Sequence, residues 1–257
     1  MEKPSYLKLK DGGRIAYCKS LGREGAQPGV IFLGGFRSDM TGVKATALEA
    51  YCAERGQPFL RFDYRGHGQS SGDFAKCGIG TWANDALEVL TRLTKGLQIL
   101  VGSSMGGWLA LIAAIEKPRR VAGLIGIASA PDFTENLIWD KFTPVQQKEL
   151  KTNGKIMVPS DMGEPYPITK HLIEDGRNYL LLDKQIPVYC PVRLLHGMKD
   201  TDVPWEVSMS LNEKIASQDV KTILIDDGDH RLSTPKDIER LLSVTGKMLD
   251  SLHAKAA

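Results

Sequence analysis

The residues with the clearest chemical meaning are Gly102-Ser103-Ser104-Met105-Gly106, a G-x-S-x-G pentad between the apolar run Ile99–Val101 and a stretch rich in Ala and Leu. A serine hydroxyl becomes a nucleophile when a base takes its proton and its oxygen projects into a cleft. A sharp strand-to-helix turn achieves the projection. Glycines flank it because side chains there would collide with the neighbouring strand and helix. Ser104 is the expected nucleophile, and Ser103 is expected to point elsewhere. The same turn puts the Met105 amide at a helix N-terminus, where an unpaired N–H and the helix dipole favour developing negative charge. A second donor to the same oxygen is expected from the loop after Val30–Leu33. There Gly34-Gly35 permits close backbone approach, and the Phe36 N–H is the candidate.

A base must come from one of five histidines. His230, in Asp227-Gly228-Asp229-His230, follows the last strand-like run and is the expected base. His253 reads as exposed in a terminal helix, His171 as surface, and His196 as a core or turn residue ending an apolar run. The acid is expected in His196-Gly197-Met198-Lys199-Asp200-Thr201-Asp202-Val203-Pro204. Asp200 fits best by loop position, whereas Asp202 reads as a cap for a helix starting near Pro204. Asp132 is a third candidate, with a helix cap as its plainer role. In this triad His230 takes the Ser104 proton and returns it to the leaving group, while Asp200 holds the tautomer.

The elements that must position these groups follow from periodicity. Tyr6–Lys10 and Arg14–Ser20 alternate around Asp11-Gly12-Gly13 and read as an antiparallel hairpin. Short apolar runs then follow at Val30–Leu33, Phe59–Phe62, Ile99–Val101, Val121–Ala128, Val192–Leu195 and Thr222–Ile225. Such runs suit strands buried on both faces. The segments between them have helical spacing, as in Leu87, Leu90, Leu93 and Leu109, Ile112, Ile115. The alternation predicts a mostly parallel sheet with helices on both faces. The stretch from Pro131 to about Pro191 breaks it, with Pro144, Pro159, Pro165 and Pro167 inside. It is too long for a structureless loop and reads as an inserted helical lid, about 131–191, on a single domain spanning 1–257.

Composition narrows the rest. A chain of 257 residues, 42% hydrophobic with formal net charge +2, can bury one sizeable core and offers no reason to expect nucleic acid as partner. Cys18, Cys52, Cys77 and Cys190 form no C-x-x-C pair and read as free thiols rather than a disulfide or zinc framework. No apolar run reaches 18 residues, so no transmembrane segment is expected. The start, Met1-Glu2-Lys3-Pro4, has the pattern of neither a signal nor a transit peptide. The triad chemistry needs no metal or organic cofactor, and none is expected.

These motifs resemble the α/β-hydrolase superfamily over nearly the whole chain. Asp63-Tyr64-Arg65-Gly66-His67-Gly68-Gln69-Ser70 is similar to its D-x-R-G-x-G-x-S stretch, whose role there is structural, so no chemistry falls to His67. Phe-Leu-Gly-Gly-Phe-Arg-Ser-Asp from Phe32, Gly-Ser-Ser-Met-Gly-Gly-Trp from Gly102 and Asp-Asp-Gly-Asp-His-Arg from Asp226 are most like the mitochondrial abhydrolase-domain esterases and thioesterases. Gly34-Gly35 departs from the His-Gly common in the superfamily, which removes a side chain that often buttresses the loop.

The resemblance implies the order Ser…Asp…His, an acyl-serine intermediate, and S-acylated protein or small acyl-ester substrates, acyl glucuronides included. It also implies the mitochondrial matrix, with a leader removed from the native protein. Leu137, Ile138, Trp139, Phe142, Ile156 and Met157 could line an acyl pocket or simply pack the lid. Arg37, Arg177 and Lys199 could meet a glucuronate carboxylate or serve as surface charge. A general carboxylesterase, lipase or peptidase on the same fold is the alternative. A peptidase would want a carboxylate cluster in the lid, which Glu135, Asp161, Glu164 and Glu174 do not obviously form. A binding protein without activity would lack a member of the triad, and all three are present in order.

Overall fold

The turn at Asp11-Gly12-Gly13 folds β1 (Ser5–Lys8) back onto β2 (Arg14–Ser20), antiparallel, with Leu7 opposite Ile15. The structure is a computed structural model describing residues 3–26, 28–160 and 163–256. Next come β3 (Gly29–Leu33), α1 (Val43–Arg55), β4 (Phe59–Phe62) and α2 (Ile79–Arg92). They are followed by β5 (Gln98–Ser103), α3 (Met105–Glu116) and β6 (Val121–Ile127). An insert then carries α4 (Pro144–Asn153), β7 (Lys155–Ser160), β8 (Gly163–Thr169) and α5 (Lys170–Gly176). The chain continues through β9 (Val192–Gly197), α6 (Glu206–Lys214), β10 (Val220–Ile225) and α7 (Pro235–Ala256).

Eight strands form one sheet in the order β1-β2-β4-β3-β5-β6-β9-β10, parallel from β4 onward. Because side chains alternate along a strand, neighbouring residues enter opposite cores. Ile31, Leu33 and Leu100 pack with Trp82 of α2 and Trp108 of α3 on one face. Val30, Phe32, Ile99 and Val101 pack with Leu48 of α1 and Met248 of α7 on the other. The apolar runs at β3 to β6 and β9 are thus strands covered on both sides, as the α/β-hydrolase fold requires, whereas β10 at the sheet edge is only partly buried. The winding reverses between β3 and β5, and at such a switch point the loops after the two strands diverge and leave a crevice.

The insert differs from the helical lid expected. About a quarter of it is a hairpin, with Ile156 of β7 opposite Ile168 of β8 and Met157 opposite Pro167. Pro159, Pro165 and Pro167 sit in this ribbon, where each strand has an unpaired edge that needs no donor. Pro144 alone of the four lies in a helix, at the first turn of α4.

Asp132 is neither the acid nor a helix cap. It lies buried at φ 58° where the chain leaves β6, and its carboxylate accepts the Leu181 N–H at 2.9 Å and the Leu182 N–H at 2.8 Å. Entry and exit of the insert are thereby tied together. Asp132→Ala would orphan two amides and put Ala in a left-handed conformation. We expect a loss of roughly 2–4 kcal/mol in urea unfolding, with Asp132→Asn, which keeps an acceptor and tolerates that φ, recovering a large part.

Candidate active site

The turn after β5 is tight enough to hold Ser104 at φ 55°, ψ −120°, outside the regions most L-residues adopt. Its neighbours pin it there. The Ser104 N–H donates to the Ile127 carbonyl at 2.8 Å, and its own carbonyl accepts from Gly107 and Ala130 at 2.9 and 3.1 Å. A Cβ at Gly106 would collide with the Leu33 carbonyl of β3, and one at Gly102 with the Gly106 carbonyl of α3. This is the strand-and-helix crowding anticipated for the pentad.

Ser104 Oγ lies 3.1 Å from His230 Nε2, and His230 Nδ1 lies 2.7 Å from Asp200 Oδ2. The structure therefore brings together the three residues expected to act jointly. Two loops make this possible. Met198 N–H donates to the Ile225 carbonyl at 2.8 Å and Lys199 N–H to the Gly228 carbonyl at 2.9 Å, which stitches the Asp200 loop to the His230 loop. On the far side Lys44 of α1 donates to the Arg231 carbonyl, and burial lowers this lysine to about 8.

Burial disfavours the Asp200 carboxylate, but its hydrogen bonds outweigh that. His196, His230 and the Val203 N–H together hold it well below the usual carboxylate range, so it is ionised wherever the site operates. Asp202 is exposed and caps no helix, because α6 begins only at Glu206; instead its N–H donates to Asp200 Oδ1 at 2.9 Å. Asp200, Asp202 and His230 each bring a ligand atom within 4.8 Å of the others. The atoms Asp200 offers are already accepting four donors, which leaves a poor ion site.

Gly35 lies against Ser104, since a Cβ there would sit 3.4 Å from the serine Cβ. The loop after β3 therefore reaches the nucleophile. The Phe36 N–H has no acceptor among the described residues, and the Met105 N–H is a first-turn amide with no intrahelical acceptor. The Phe36 ring packs against Phe74, Trp82, Phe133 and Tyr166 at centroid distances of 5.1 to 6.0 Å. Arg37 follows at φ 59° and donates its N–H to His67 Nε2 at 3.1 Å. His67, given no chemistry by the motif, thus supports the loop that lacks the common His-Gly histidine.

Beside the site runs a cleft of about 350 Å³ between Arg37–Asp39, Gly66–Gly68 and Pro165–Pro167 of β8. None of the six residues considered for an acyl pocket lines it. Leu137, Ile138, Trp139 and Phe142 pack against the core, Ile156 is buried, and Met157 is exposed. Arg177 is engaged by Glu135 at 2.7 Å, Lys199 is exposed, and Arg37 stacks on the Tyr166 ring at 4.0 Å. Glu135 is thus spoken for, Glu174 pairs with Lys170 at 3.6 Å, Glu164 is exposed, and Asp161 lies outside the described residues. His171 and His253 are exposed, and Ser103 is buried in β5.

Sheet order and turn together define a hydrolase of the α/β-hydrolase fold. A sequence profile of the alpha/beta hydrolase fold matches residues 30–154. The mitochondrial palmitoyl-protein thioesterase ABHD10 of Rattus norvegicus is 42% identical over 251 residues, 96% of this chain and 83% of that protein. Its Homo sapiens counterpart is 41% identical over 253 residues, 96% and 80% of the two chains. Among solved structures, mouse alpha/beta hydrolase domain-containing protein 10 superposes with a TM-score of 0.90 at 41% identity, covering 98% of this chain and 100% of that one. A putative hydrolase from Agrobacterium vitis S4 gives 0.92 at 39%, covering 96% and 98%. The chain belongs to the α/β-hydrolase family that includes these abhydrolase-domain proteins. The curated relatives are named as mitochondrial, in agreement with the expected location. No helix among the described residues is long and apolar enough to cross a membrane.

His67 and Asp85 give the fold opposing pH responses. Burial pushes His67 down to about 4. The unfolded chain therefore binds the extra proton first, and stability is lost as pH falls from about 6.5 toward 4, by roughly 3 kcal/mol. Burial raises Asp85 to about 6 despite its Arg65 partner, which works in the opposite sense as pH rises. His67→Gln keeps an acceptor for Arg37. Urea unfolding from pH 7 to 4 should show the variant losing less stability than the parent over that range.

Proposed function

We propose that the protein hydrolyses acyl thioesters, S-palmitoylated protein cysteines among them, and acyl-glucuronide esters, through an acyl intermediate on Ser104. The observation that carries this reading is the unbroken chain Ser104 Oγ–His230–Asp200 at 3.1 and 2.7 Å beneath the strained turn. The names of the thioesterase relatives support the thioester part of this reading.

In this mechanism His230 Nε2 accepts the Ser104 proton as Oγ attacks the acyl carbon. The N–H groups of Phe36 and Met105 receive the resulting oxyanion. Collapse breaks the bond to sulfur or sugar oxygen, and His230 returns the proton to that leaving group. Water, deprotonated by His230, then releases the carboxylic acid and restores Ser104. Asp200, ionised throughout, stabilises the imidazolium in both halves. The insert serves as a lid, and its Tyr166 together with Phe36 and Phe133 gives the acyl chain an aromatic wall. The engagement of Glu135 by Arg177 weighs against a peptidase, which needs a free carboxylate for an α-amino group.

The test compares kcat/KM on an S-palmitoyl peptide and an aryl acyl glucuronide. We expect turnover of both, with kcat in Ser104→Ala lowered by about 10⁴-fold or more. Turnover of short aryl esters alone would discard the thioesterase and acyl-glucuronide esterase assignment and leave a general carboxylesterase.

A further inference from the structure

One imidazole near the site has no part in the steps above. His196, at the end of β9, is wholly shielded from solvent. Its Nε2 lies 3.2 Å from Asp200 Oδ2 and 3.0 Å from the Val203 carbonyl, and its Nδ1 lies 2.7 Å from Ser208 Oγ on α6. Both neighbours of Nε2 are acceptors, so Nε2 carries the proton, and in the neutral ring Nδ1 accepts from the Ser208 hydroxyl. Asp200 Oδ2 thus stands between two imidazoles, His196 behind and His230 in front. Oδ1 is taken by the N–H groups of Asp202 and Val203 at 2.9 and 2.8 Å.

We propose that His196 is a positioning residue that fixes the Asp200 carboxylate and, by sharing Oδ2, limits how strongly that oxygen draws on the Nδ1 proton of His230. The inference rests on the triad reading given above. A carboxylate oxygen with one donor removed presents more negative charge to the remaining donor, which favours the imidazolium. Without His196 the base becomes harder to deprotonate, and Asp200 also loses one of the bonds that set its orientation. Among the described residues, Asp202 offers an oxygen within 4.8 Å of the His230 ring, Asp229 and Arg231 flank it in the chain, and Lys44, bonded to the Arg231 carbonyl, lies near Asp229, Arg231 and Asp237. None of them is altered by substitution at His196.

The experiment follows kcat, KM and the pH profile of kcat/KM in the full chain, on a short-chain aryl ester. His196→Leu should lower kcat roughly tenfold with KM nearly unchanged, and move the acidic limb to higher pH by about half a unit. His196→Gln restores an N–H near the Nε2 position, so its limb should return to that of the parent with kcat within about threefold. Ser208→Ala, which only loosens the imidazole, should shift the limb the same way by less, and it carries the test if His196→Leu does not fold. An unmoved limb in the folded variants, or equal losses in the Leu and Gln forms, overturns the proposal. A parent rate that survives Ser104→Ala overturns the triad reading instead, and the two failures are told apart by that control.

Discussion

The site depends first on one backbone conformation, Ser104 at positive φ. A non-glycine residue there costs on the order of 1–2 kcal/mol and persists only where its surroundings over-determine it. Here β5 ends and α3 begins within a single residue. The Ser104 amide is held by β6, and α3 approaches β3 so closely that Gly106 tolerates no side chain. The strain is offset by the packing of α3, a helix apolar on all sides and buried along almost its whole length. The most hydrophobic helix of the chain therefore carries the nucleophile, because rigid burial holds the turn in place.

A second constraint is the ionised carboxylate at Asp200, whose side chain is fully shielded. A buried charge is stable only when its lone pairs are occupied. Two imidazoles and two backbone amides do this, and each of the four also fixes a piece of geometry. The N–H groups of Asp202 and Val203 close the loop after β9, and His196 joins that loop to α6. His230 directs what remains toward Ser104. Solvation of one anion and alignment of the base are the same set of bonds.

The histidine at 67 shows how a departure from a common pattern is accommodated. With glycine where a histidine often stands, the loop after β3 takes its support from across the crevice. His67 accepts the Arg37 amide while its Nδ1 faces the Arg65 carbonyl at 3.3 Å. Arg37 in turn lies over Tyr166, so the loop bearing Phe36 is bonded below and covered above by the β7–β8 ribbon.

Local pattern alone determined a large part of this protein. Apolar runs of strand length marked all six strands of the sheet after the first hairpin, because strands covered by helices are mostly apolar, even where a polar residue such as Arg61 in β4 or Arg193 in β9 interrupts the run. The glycine spacing around Ser104 was legible for a steric reason that acts within five residues. His230 and Asp200 were legible as loop residues after the last two strands. The ribbon at β7–β8 was not, since prolines carry the same signal in an edge strand as in a loop. Asp132 and Asp202 read as helix caps because sequence shows a carboxylate near a helix but not where its oxygens point. The partners of His196, His67 and Lys44 lie on other elements, 12, 30 and 187 positions away at Ser208, Arg37 and Arg231. Only the tertiary structure decided their roles, because contacts between distant segments follow from how helices settle on the sheet and leave no periodic trace in the chain.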